Sequence, residues 1–99
     1  MKKILFVDDE ESILVGFQRV LRREFAIETA LGAEQGLTAL ESGDQFAAVV
    51  ADMNMPGMNG IAFLRRARET APEAVRIMLT GNADQRTATE AVNEGAVFR

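Results

Sequence analysis

The sequence predicts an α/β fold, an open parallel sheet with helices on both faces. Three observations carry this. Short apolar runs rich in Val, Ile and Phe alternate with longer stretches whose apolar residues recur at helical spacing. One run, Phe46-Ala47-Ala48-Val49-Val50-Ala51, is apolar without alternation, as expected of a strand covered on both sides. The chain has 99 residues, 47% hydrophobic and 26% charged, which suits a single soluble domain over residues 1–99 with one core.

The elements follow in order. Residues 3–7 form a compact β-branched and aromatic run, a buried first strand. Over residues 11–23, Ile13, Leu14, Phe17, Val20 and Leu21 share one helical face, with Gln18, Arg19, Arg22 and Arg23 mostly opposite. Asp9, Glu10 and Glu11 near its start and the arginines near its end suit the helix dipole. Residues 25–30 read as a second, weaker strand. Residues 33–42 form a short helix with Leu37 and Leu40 inward and Gly43 as its stop. The third strand, 46–51, ends at Asp52. Pro56 and Gly57 make 53–59 a loop. Gly60 opens a third helix to residue 70, with Ile61, Leu64 and Ala67 inward and Pro72 behind it. Residues 75–80 are a fourth strand, Gly81-Asn82 a turn, and 83–93 a fourth helix closed by Gly95. A strand–helix unit repeated four times, with right-handed crossovers, gives a three-layer α/β/α sandwich of flavodoxin-like strand order.

Composition narrows the chemistry. With 11 Lys+Arg against 15 Asp+Glu, the net charge is −4, unsuited to gripping a phosphate backbone, so no direct nucleic-acid contact is expected. Cysteine and histidine are absent, which excludes disulfides, thiolate zinc sites and Ser-His or Cys-His nucleophile pairs. Any metal must bind through oxygen. The apolar run after Lys2-Lys3 stops within four residues, at Asp8, too short for a signal peptide, and nothing reaches the ~18 apolar residues of a membrane span. A cytoplasmic location with no membrane partner is expected.

In open α/β sheets, ligands bind beyond the carboxyl ends of the strands. Those ends carry Asp8 and Asp9 after strand one, Asp52 after strand three and Thr80 at strand four. Gathering like charges is costly: two unit charges ~4 Å apart repel by roughly 4 kcal/mol at an effective dielectric of about 20. A cation that neutralises them makes the cluster tenable. Carboxylates, a loop carbonyl and waters suit Mg²⁺, which in turn accepts phosphate oxygens. Asp52, at the end of a rigid apolar strand, is the candidate nucleophile toward phosphorus. Thr80 is positioned to donate a hydroxyl hydrogen bond to the product, with Gly81 leaving room beside it. Taken singly, each of these residues has a plainer role, as helix cap, turn former or strand end. Met53, Met55 and Met58 read as loop packing, and Arg65, Arg66 and Arg68 as a solvated helix face.

Phe6-Val7-Asp8-Asp9-Glu10, the stretch from Val49 through Asp52-Met53-Asn54-Met55-Pro56 to Gly60, and Ile77-Met78-Leu79-Thr80-Gly81 together resemble the receiver domain of two-component response regulators. The resemblance covers the whole chain. It implies that Asp52 accepts a phosphoryl group from a phosphohistidine on a partner sensor histidine kinase. It implies that Asp8, Asp9 and Asp52, with the Asn54 main-chain carbonyl, hold Mg²⁺, and that Thr80 is the switch hydroxyl. Asn54 and Asn82 would tune the lifetime of the phosphoryl group. It implies a signalling domain that catalyses only its own phosphoryl transfer and dephosphorylation, joined in the parent chain to a C-terminal output domain.

The ending departs from the family, whose fifth strand bears a switch aromatic and ends in Lys-Pro. Here the chain stops at Ala96-Val97-Phe98-Arg99, and its only lysines are Lys2 and Lys3. The expectation is a truncated receiver lacking the fifth strand–helix unit, with four units present. It would expose the edge of strand four and so form a homodimer or swapped assembly. Two other readings stand beside this one. A pseudo-receiver would use the same fold as an unphosphorylated interaction module. A haloacid-dehalogenase-like phosphohydrolase would need acids two apart, whereas Asp8 and Asp9 are adjacent.

Overall fold

A computed structural model describes residues 2–79 of the chain. The elements are β1 (Lys3–Asp8), α1 (Glu11–Leu21), β2 (Ala26–Leu31), α2 (Ala33–Glu41), β3 (Ala48–Asp52), α3 (Gly60–Thr70) and β4 (Val75–Leu79). Thr80, the turn at Gly81-Asn82, the helix expected over 83–93 and the terminal residues through Arg99 lie outside the described residues.

All strand pairs are parallel, and the order is β2-β1-β3-β4. This is the expected flavodoxin-like arrangement, with the order reversing between β1 and β3. Strand alternation sends residues to two layers. Leu5, Val7, Val49 and Ala51 join Leu40, Ile61, Phe63, Leu64 and Ala67 in the larger core, under α2 and α3. Phe6 and Val50 join Leu14, with Phe17 and Leu21 packed against them, in a smaller core under α1. The rings of Phe6 and Phe17 stack with centroids 4.6 Å apart.

One expectation about faces is corrected, on α1, and one is extended, on α3. Of the five apolar positions of α1 assigned to one face, Leu14 is buried and Phe17 and Leu21 are half-buried, but Ile13 is 40% and Val20 76% exposed. The five span too wide an arc for one helix lying on a sheet, and the margin holding Ile13 and Val20 turns off the core. On α3, Phe63 is wholly buried alongside the expected Ile61, Leu64 and Ala67. Its ring fits against α2 because residue 36 is glycine: a Cβ there would lie 2.8 Å and 2.9 Å from Phe63 ring carbons.

Ends and turns follow local chemistry. Gly43, with φ +95°, accepts the left-handed backbone that stops α2. Asn59 caps α3, its Oδ1 accepting from the Ala62 N–H at 2.9 Å. Phe46 is buried but precedes the ladder, so β3 begins two residues later than expected. At the N-terminal end of the sheet, Lys3 Nζ contacts Asp44 at 2.7 Å and Glu28 at 3.1 Å and lies 5.5 Å from the centroid of the Phe46 ring. A groove of about 630 Å³ lies at this same end, lined in part by Lys3, Asp44, Phe46 and Pro72. Arg76, 4% exposed, donates to the carbonyls of Pro72 and Ala74 and so braces the turn before β4.

Gly60 is held by contact rather than by backbone angle. Its N–H donates to the Met53 carbonyl at 2.9 Å, and an added Cβ would collide with the Asp52 carbonyl oxygen and sit 2.8 Å from Met53 Cα. Gly16, midway along α1, has open space around the same position. Gly60→Ala therefore destabilises by about 1–3 kcal/mol through forced overpacking, whereas Gly16→Ala is neutral or stabilises by up to about 1 kcal/mol through helix propensity. Urea denaturation of the two variants measures the contrast.

Candidate phosphoacceptor and metal site

The site follows from strand register. β1 and β3 pair in parallel with Val7 opposite Ala51, so Asp8 and Asp52, one residue further on, end neighbouring strands side by side. These strands flank the point where the strand order reverses, the place where such sheets bind ligands. Asp9 follows in the turn into α1. Oxygens from Asp8, Asp9 and Asp52 all lie within 4.8 Å of one another. Asp8 is buried, Asp52 half-buried and Asp9 exposed, so the cluster opens to solvent on one side.

Each acid is also tied into its turn. Asp8 Oδ1 accepts from the Glu10 N–H at 2.9 Å. The Asp52 carboxylate accepts from the backbone N–H groups of Asn54 and Met53. The local turn role and the cluster role thus coexist in the same side chains. For Asp52 the opposing effects have a clear winner. Burial, then the charges of Asp8 and Asp9, raise its pKa above the ordinary carboxylate value, and the two backbone donors only partly offset this.

The structure brings together three of the expected site residues, Asp8, Asp9 and Asp52. Asn54 is exposed, two residues past Asp52 in the loop, and its N–H already serves the site. Thr80 lies outside the described residues. Asp52 is the register partner of Leu79, and the Met53 N–H donates to the Leu79 carbonyl at 3.1 Å, so the ends of β3 and β4 are joined beside the acids. The plainer local roles weighed for Asp8 and Asp52 are present together with the cluster: each accepts a backbone N–H from the turn that follows it. Three hard carboxylate oxygens at mutual reach, one side open, fit a small divalent cation such as Mg²⁺, which keeps several waters. Among the described residues no helix is long and apolar enough to cross a membrane.

An open doubly wound parallel sheet carrying an acidic cluster at its carboxyl edge defines the class. The response regulator receiver domain model matches residues 4–98, and the chain belongs to that family. It is 33% identical over 96 residues to the hydrogenase transcriptional regulatory protein HoxA of Cupriavidus necator, covering 97% of this chain and 20% of that one. It is 39% identical over 98 residues to chemotaxis protein CheY-3 of Vibrio cholerae, covering 94% and 74%. Among solved structures, one titled adenylate cyclase from Rhodopirellula baltica superposes with TM-score 0.95 at 43% identity, covering 99% and 73%. A response regulator from Burkholderia pseudomallei, solved with a phosphorylated aspartic acid and a calcium ion, has TM-score 0.85 at 27% identity, covering 96% and 56%. The chain spans about a fifth of the length of HoxA. It is a receiver domain of the two-component response regulator type, and receivers are the phosphoacceptor modules of that signalling.

Because the folded state raises the Asp52 pKa, ionising Asp52 costs the fold stability. That stability is present in acid, below the unfolded-state value, and is lost as pH rises through the raised folded value. Asp52→Asn is therefore expected to melt higher than the unsubstituted chain in metal-free buffer at neutral pH. The advantage should shrink on acidification through the carboxylate range. Thermal melts across a pH series in chelator check this.

Proposed function

We propose that Asp52 is the phosphoacceptor of this receiver and that Asp8, Asp9 and Asp52, with the Asn54 main-chain carbonyl, hold the Mg²⁺ that its chemistry requires. The observation that carries the reading is the convergence of the three carboxylates at the β1/β3 switch point. In the reaction, an Asp52 carboxylate oxygen attacks phosphorus of a phosphohistidine on a sensor histidine kinase. The O–P bond forms as the P–N bond breaks, and the imidazole nitrogen leaves with the electron pair and takes up a proton. Mg²⁺, when bound, supplies charge neutralisation for the acids and for the transferring oxygens. The chain's own part is positional. The register fixes Asp52 beside Asp8, and the Met53 and Asn54 N–H groups orient its carboxylate. Burial and, after it, the neighbouring acids disfavour the charged Asp52 carboxylate, which a cation would counter. Thr80, next in sequence after Leu79, is the proposed switch hydroxyl.

The phosphorylated state would act on an output region of the parent protein, in the cytoplasm. The domain's own catalysis would be limited to its phosphoryl transfer and dephosphorylation. Two copies of the chain are proposed to associate. β4 has a neighbour strand on one side only among the described residues, which is the feature behind the sequence expectation.

Three outcomes test the reading. A small-molecule phosphodonor with Mg²⁺ should place one hydroxylamine-labile phosphoryl group on the chain, and Asp52→Asn should remove it; labelling that survives the substitution assigns the acceptor elsewhere. Mg²⁺ at a hundredfold excess over its dissociation constant should stabilise the fold by about 2.7 kcal/mol. Asp8→Asn should abolish most of that gain, and an equal response from the variant would remove Asp8 from the metal site.

A further inference from the structure

We propose that Asn59-Gly60 is a site of spontaneous chemical modification, deamidation through a cyclic imide, which the folded loop after β3 holds back and which damages that loop when it occurs. Of Asn54, Asn59, Asn82 and Asn93, only Asn59 precedes a glycine. A following glycine leaves the next main-chain nitrogen unshielded by a side chain and its backbone free to turn. In the reaction, the Gly60 nitrogen gives up its proton and attacks Asn59 Cγ. The new C–N bond closes the imide ring as the bond to the side-chain nitrogen breaks, and that nitrogen leaves as ammonia with the proton. Water then opens the ring. Opening at Cγ leaves aspartate. Opening at the main-chain carbonyl carbon leaves isoaspartate, whose chain runs on through Cβ and Cγ and is a methylene longer.

The fold withholds both reacting groups. The Gly60 N–H donates to the Met53 carbonyl at 2.9 Å, and Gly60 is buried. Asn59 Oδ1 accepts from the Ala62 N–H at 2.9 Å, and the Asn59 carbonyl accepts from the Phe63 N–H at 3.0 Å. Closing the ring turns the Asn59–Gly60 peptide away from its extended ψ of 171°, which breaks the cap and the Met53 bond together. Reaction therefore proceeds from a locally opened state in which residues 53–60 have come away from the start of α3, and its rate follows the population of that state. Asn59 is exposed, so water reaches the imide once it has formed.

The two products differ in their effect. Aspartate at this position keeps a capping oxygen and adds negative charge at a helix N-terminus, where it is favourable. Isoaspartate lengthens the main chain where there is no slack. Gly60 meets the end of β3 so closely that even a Cβ would collide with the Asp52 carbonyl oxygen and lie 2.8 Å from Met53 Cα. A longer chain there pushes on Asp52 and Met53 or pulls Gly60 from them. The consequence for phosphorylation rests on the Asp52 reading above; the chemistry and its effect on the fold do not.

Peptide mapping by mass spectrometry tests this on the whole chain, incubated in mildly alkaline buffer with and without guanidinium chloride. The unfolded chain should convert at Asn59 at least about tenfold faster than the folded chain. Asn59→Ser, which keeps a capping oxygen, should give no such product in either condition. The isoaspartyl chain, separated after reaction, should have a lower urea midpoint than Asn59→Asp, which should match the unsubstituted chain. Equal rates with and without denaturant would overturn the protection, and no conversion at Asn59 in denaturant would overturn the site. An isoaspartyl chain as stable as Asn59→Asp would overturn the damage. None of these measurements uses a phosphodonor, so their failure leaves the Asp52 assignment standing.

Discussion

The parallel register between β1 and β3 is the constraint on which the molecule turns. With Val7 opposite Ala51, the next residue on each strand is an aspartate, and both emerge where the strand order reverses. Burial of the strands is what holds this register. Leu5, Val7, Val49 and Ala51 are almost wholly inside, and a slip of one residue would turn them all to the opposite face. Hydrophobic packing therefore enforces a juxtaposition that electrostatics opposes. Burial first, and then the charges of Asp8 and Asp9, raise the Asp52 pKa, and a bound cation would offset both.

The loop after β3 makes the arrangement stiff. Met53 and Met55 are both buried in the larger core, and Met58 packs against it. The chain cannot lift away between Asp52 and Asn59 without exposing them. At the far side of the loop, Asn59 caps α3 and Gly60 allows the helix to begin in contact with the end of β3. The two N–H groups that Asp52 accepts from belong to this anchored segment. The donors are thus in place before any ligand arrives, so little reorganisation is needed at the carboxylate.

Much of this was legible in the sequence, for identifiable reasons. The third strand declared itself by lacking alternation, and the acids by sitting at strand ends that a parallel sheet must gather. The strand order expected was that of the flavodoxin-like arrangement that a repeated strand–helix unit adopts, and the sheet has it. What escaped was lateral detail. Periodicity gave α1 an apolar arc but not which margin would face away, so Ile13 and Val20 were assigned inward. Phe63 escaped because α3 faces both the sheet and α2, and only the space at Gly36 reveals the second contact. The Lys3 contacts with Glu28 and Asp44 join residues far apart in sequence, and no local pattern announces them. The role of Thr80 was read from its place after β4 and from family resemblance, not from a described side chain.

The two ends of the sheet are built to opposite specifications. At the N-terminal end, Lys3 bridges acids from β2 and from the segment before β3, and its ammonium lies near the Phe46 ring. Its pKa is raised by those same hydrogen bonds, so its charge and the clamp persist through the neutral range. At the carboxyl end, like charges are crowded and only partly compensated. Under the proposed reading, a cation or phosphoryl group would therefore change charge at the crowded end and leave the clamped end as it is. The nearest path outward from Asp52 is short. Its register partner is Leu79, whose carbonyl is also held by the Met53 N–H. That hydrogen bond ties the Asp52–Met53 segment to the end of β4, so the two strand ends are held as one unit. One rigid core thus holds opposite charges together at one end of the sheet and like charges together at the other.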